Sequence, residues 1–126
     1  MLSQDEVHEV LNRMNEVAHF LVNHGFTVAA NFQETNIDAA IRSLKEIAKK
    51  RKDQYLFFWQ HCDQLEFERG KSPLYVSCLS AHGYFNEVDE KKVAVIIRGI
   101  FSKYGLIYEW RENFLFKIKV NGCMSS

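Results

Sequence analysis

Between Gln54 and Gln60 the chain reads YLFFW, five apolar residues in an unbroken run. A strand with one wet face alternates apolar and polar residues, because successive side chains point to opposite sides. A run that is apolar at every position has both faces to bury, and reads as a central strand covered above and below. That demands a sheet with material layered on it.

The helices to cover such a sheet are visible in the periodicity. From Ser3 to His24, Val7, Val10, Leu11, Met14, Val17, Ala18 and Leu21 recur at helical spacing. Ser3 and Glu6 form a capping-box pair at its start, and Gly25 suits its end. A second helix is expected over about 36–50, capped by Thr35 with Asp38 and striped by Ile37, Ala40, Ile41, Leu44, Ile47 and Ala48. A third, over about 86–104, turns Val93, Ile96, Ile97, Ile100, Phe101 and Tyr104 inward and ends at Gly105.

The strands fall between them. FTVAANF alternates, placing Phe26, Val28, Ala30 and Phe32 on one face. After YLFFW, a loop is expected in DQLEFERGKSP, which holds Gly70 and the only proline, Pro73. LYVSCLS and LIYEW follow as strands. In the closing LFKIKV, Phe114, Phe116, Ile118 and Val120 alternate with outward Lys117 and Lys119. The sum is one α+β domain over 1–120, order α-β-α-β-β-α-β-β. It has a mostly antiparallel or mixed four- to five-stranded sheet packed with three helices, and a loose tail at 121–126. A chain of 126 residues buries enough surface for a core without staples.

Charge and cysteine usage narrow the function classes. Sixteen basic residues balance sixteen acidic ones, so the sustained positive field needed to grip nucleic acid or an anionic membrane is missing. The three cysteines, Cys62, Cys78 and Cys123, show no C-x-x-C spacing. Cys62 and Cys78 lie in apolar surroundings and read as small buried hydrophobes. The start MLSQDEVHEV lacks the pattern of a signal peptide, and a cytoplasmic location is expected.

Three places carry side chains able to do chemistry or bind. If strand geometry persists beyond Trp59, His61 and Asp63 share a face, with Cys62 on the other. An Asp beside a His can orient the ring as a general base. His82 follows the next strand; a His61–Asp63–His82 cluster at neighbouring strand ends would suit a small hydrolase or a metal-dependent enzyme. The competing reading is a strand surfacing into water, and no nucleophile motif accompanies the three. His8 and His19 lie eleven residues apart on one helix, about 16 Å at the helical rise, too far to share an ion. A basic flank, Arg42, Lys45 and the run Lys49–Lys52, matches the charge preference of a helix end and has no interleaved aromatics for stacking bases. Tyr84 and Phe85, in a loop before the third helix, are candidate anchors for a protein partner, together with Arg111 and Glu112 in the hairpin turn.

Several stretches match a known pattern: LFFWQHCDQLE, then LYVSCLSAHG, a helix such as DEKKVAVIIRGIFSKYG, and GLIYEW leading into a hairpin. Carried best by Leu74-Tyr75, Gly105-Leu106 and Glu109-Trp110, the chain resembles, over about Gly25–Val120, a family of small bacterial domains of unknown function. In that family's pattern a histidine directly follows the aromatic run, where this chain has Gln60; Asp63 fits the acid. The resemblance implies the order of elements and no activity. The reading that follows is a non-catalytic protein-interaction or regulatory module, such as a toxin-neutralising one, needing no cofactor or metal and no membrane, with self-association left open.

Overall fold

The computed structural model describes residues 2–82, 87–110 and 117–124, with only the backbone at 87–90 and 117. The elements run α1 (Gln4–Val22), β1 (Phe26–Phe32), α2 (Ile37–Arg51), β2 (Tyr55–Gln60), α3 (His61–Glu68), β3 (Leu74–Ser80), α4 (Glu87–Lys103), β4 (Leu106–Trp110) and β5 (Lys117–Cys123). The five strands form one mixed sheet in the order β1-β2-β3-β5-β4. The class is α+β as expected, with four helices among the described residues in place of three.

β1 and β2 run parallel, joined across one face by α2. All other neighbours are antiparallel: β2 with β3, β3 with β5, and β5 with β4. Since β3 and β4 both oppose β5, they point the same way, and α4 bridges them over the inserted strand.

The run YLFFW behaves as its composition demands. Phe57 and Trp59 enter the larger core with α1, Phe67 of α3 and α4, while Leu56 and Phe58 pack on the other face against Ala40, Leu44 and Ala48 of α2. All four are at most 1% exposed. Rings meet edge to face at Phe57–Trp59 and Phe57–Phe101, each with centroids 6.2 Å apart, the offset geometry that ring quadrupoles favour.

Local signals set the helix ends. The Ser3–Glu6 capping box is formed in both directions. α2 is capped by Asn36, whose Oδ1 accepts from Ala39 N at 3.0 Å, so the cap stands one residue later than the Thr35 reading. Thr35 is engaged through its backbone carbonyl, which accepts from Gln60 Nε2 at 3.1 Å. At the far end of α2 a buried carboxylate ties four segments together. Asp53 Oδ2 accepts from Thr27 Oγ1 at 2.8 Å and from Arg51 Nε at 2.6 Å, and Arg51 also donates to Val22 O at 2.9 Å.

Three further expectations are corrected. β1 is bulged between Ala29 and Phe32, with Asn31 at φ 56°. Phe26 and Val28 therefore face the larger core while Phe32 faces α2, and Ala30 is exposed. Ile47 and Ile96, placed inward by periodicity, are 45% and 39% exposed. β5 continues through Asn121 to Cys123, pairing with Leu106 and Ile107, where a loose tail was expected. Among the described residues, no helix is long and apolar enough to cross a membrane.

Candidate functional site

The expected constellation rested on the strand running past Trp59. Instead the backbone turns into α3 at His61, with Gln60 as its N-cap. Positions two apart on a helix lie about 200° apart, so His61 and Asp63 do not share a face. Cys62, expected in the interior, is exposed. The helix ends in a Schellman arrangement: Gly70, at φ 73°, donates to Phe67 O at 3.0 Å, and Lys71 to Glu66 O at 2.9 Å. Phe67 is the side chain that seats α3 on the sheet.

His82 lies at the opposite end of the molecule. β3 is indeed the neighbour of β2, but antiparallel, so its end meets the start of β2: Ser80 pairs with Tyr55, and Ala81 N donates to Gln54 O at 2.9 Å. His61 follows the other end of β2, about 17–20 Å away at the strand rise. No His–Asp–His cluster exists; among the described residues no group of three His, Cys, Asp or Glu side chains could hold a metal ion. Tyr84, Phe85, Arg111 and Glu112 lie outside the described residues.

His61 finds a different partner. Its Nδ1 is 2.8 Å from Asn31 Oδ1, the side chain that the bulge turns toward it. With the amide oxygen as acceptor, Nδ1–H is the donor of this bond. Beside it, buried Gln60 donates to Glu34 O at 2.8 Å and to Thr35 O, clamping the β1–α2 loop. The pair stands at the carboxyl ends of the two parallel strands, where open α/β sheets commonly take ligands. His61 and Asn31 are joined to each other, and the Gln60 amide beside them is joined to the loop.

The basic flank is also partly consumed. Lys45 is half-buried, Arg51 turns in to Asp53, and Lys52 has left the helix in the left-handed conformation at φ 62°. That is how a helix end satisfies itself.

The feature that periodicity missed is the outer side of α4. Val95 is 70% exposed and Ile96 39%, on a helix whose other side buries Val93, Ala94, Ile97 and Phe101. Gly99 lies one turn on, and a Cβ added there would meet nothing within 4 Å. Exposed Lys92 and Lys103 fall between Val95 and Ile96 around the helix, and exposed Lys91 and Arg98 lie on the Val95 side. Arg98 sits over the Trp110 ring at 5.8 Å, and Lys103 lies 5.4 Å from the Phe20 ring. The signal was present in VAVIIRGIF: its apolar positions are too many for one face of a helix.

No protein-family model matches the chain, and comparisons with curated proteins and with solved structures find no match.

Proposed function

We propose that this chain is a non-catalytic protein-binding module, regulatory or neutralising in effect, that engages its partner through the outer side of α4. Val95 carries this reading: a β-branched aliphatic residue that is 70% exposed at mid-helix, continued by Ile96 and the open Gly99. Exposed aliphatic side chains set among charged ones on one side of a helix can serve as a protein contact. Tyr84 and Phe85, directly upstream of α4 in sequence, are proposed as aromatic anchors for the same partner. Arg111 and Glu112 are proposed as further partner contacts. The separation of His61 from His82 supports binding over hydrolysis.

A photo-crosslinking residue placed at Val95, with a control at exposed Ser43 on α2, tests the reading in the native host cell. Discrete adducts of protein mass at Val95 and none at Ser43 are expected. Equal labelling at both sites, or none at Val95, would overturn it.

A further inference from the structure

The sheet ends in two edge strands of different quality. β1 closes one side, and its own backbone is broken by the bulge at Asn31, with φ 56°. β4 closes the other, and among the described residues it pairs with β5 alone. The irregularity in that pair falls in β5. Ile107 is opposite Gly122 and Tyr108 opposite Val120, so Asn121 is the extra residue and Leu106–Trp110 runs unbroken. In a strand with one neighbour, alternate residues turn their N–H and C=O away from it, a row of groups that a further strand can take up. Natural edges are often guarded by proline, by lysine or by a break in the strand itself. LIYEW has none of these, and its single charge, Glu109, reaches sideways to Lys119 of β5 at 3.7 Å. On the same face Ile107 stands 48% exposed.

We infer that β4 is a self-association edge: two copies of the chain join β4 to β4, antiparallel about a two-fold axis at Ile107, merging their sheets into one. The strand selects its own register. With the axis normal to the sheet, paired side chains share a face, so the axis stands at a residue and not between two. An axis at Glu109 sets two carboxylates together, and one at Tyr108 sets Glu109 against Ile107. An axis at Ile107 pairs the two exposed aliphatic side chains, puts Leu106 beside Tyr108, and leaves each Glu109 opposite Gly105. It also carries the two Arg98–Trp110 pairs to opposite ends of the ladder, about 20 Å apart at the strand rise, so Arg98 does not meet Arg98. The ladder is short, which puts the dimer in the weak, concentration-dependent class. A strand of another protein would use the same backbone groups; the match of Ile107 to itself is what favours a second copy. This edge is separate from the outer side of α4, and the inference does not rest on the reading of that helix.

Sedimentation of the full chain over a range of concentrations tests it, and the parent is expected to pass from monomer to dimer. Ile107→Lys puts two cations on the axis and should weaken the dimer at least about tenfold. It should keep the parent's helical content, since the side chain is already half in water. Ile107→Cys and Glu109→Cys, each made in a Cys62→Ser background that serves as control, read the register. Side chains paired on the axis lie close enough for a disulfide, whereas the two at Glu109 are about 13 Å apart at the strand rise. Air oxidation should therefore link the Ile107→Cys chains and leave the Glu109→Cys chains single. A parent that stays monomeric throughout would overturn the inference. So would a dimer untouched by Ile107→Lys and unlinked in Ile107→Cys; if Val95→Asp dissolves that dimer, the contact is the outer side of α4. A link at Glu109→Cys in place of Ile107→Cys would overturn the register. Should Ile107→Lys fail to fold, the oxidation pair decides alone.

Discussion

Cys78 shows how much of a residue's chemistry is set by where it is put. It is fully buried in the larger core, and burial alone pushes its thiol pKa far above the ordinary range, since the thiolate would have to exist without water. The consequence for stability has a definite sign. Below the unfolded-state value, about 8.5, both states hold the proton and the thiol contributes fully. Above it the unfolded chain ionises and the folded chain does not, so stability falls by about 1.4 kcal/mol per pH unit from this group. Denaturant midpoints measured from pH 8 to 10 should decline in the parent and decline less steeply in Cys78→Ala. Its identity as a small buried hydrophobe was legible from LYVSCLS, because the strand alternates around it. The same inference failed at Cys62, which stands among Gln60, His61, Asp63 and Gln64 and is exposed on a helix.

At the scale of elements, α3 is the instructive case. Its eight residues, beginning His61, Cys62 and Asp63, read in sequence as a strand end and a loop, since a helix so short has hardly two turns in which to show a period. Its marks are the large ring of Phe67 and the glycine that ends it, Gly70, which with Pro73 reads in sequence as a loop signal. If α3 is seated by Phe67 with Cys62 outside, the two substitutions should behave oppositely. Phe67→Ala is expected to cost about 3–5 kcal/mol by urea denaturation. Cys62→Ser should stay within about 0.5 kcal/mol of the parent and abolish fast labelling by a thiol reagent in the folded protein. A continued strand would reverse that order. The bulge at Asn31 belongs to the same class of feature. A single left-handed residue flips the facing of everything after it, and FTVAANF alternates just as well without one.

For the molecule as a whole, direction of pairing decides what can meet. Parallel β1 and β2 bring Asn31 to His61; antiparallel β2 and β3 carry His82 to the far end. The two imidazoles should therefore be independent. His61→Ala and His82→Ala should change the unfolding free energy additively, within about 0.5 kcal/mol in the double variant. Any Zn²⁺-dependent rise in melting temperature should not require both rings. A shared ion would appear as strong coupling between them.

What the amino-acid order determined by itself was the α+β class, the doubly covered strand at Tyr55–Trp59, the long helices and the capping box at Ser3, because periodicity and caps are written within a few residues of where they act. Left to the tertiary structure were the partner and direction of each strand, the bulge, the short helix after Gln60 and the bare side of α4. Each of those depends on contacts between residues far apart in the chain, and for α4 on what the sheet leaves uncovered. A local pattern records how many apolar side chains need cover, and only the assembled fold decides which of them go without it.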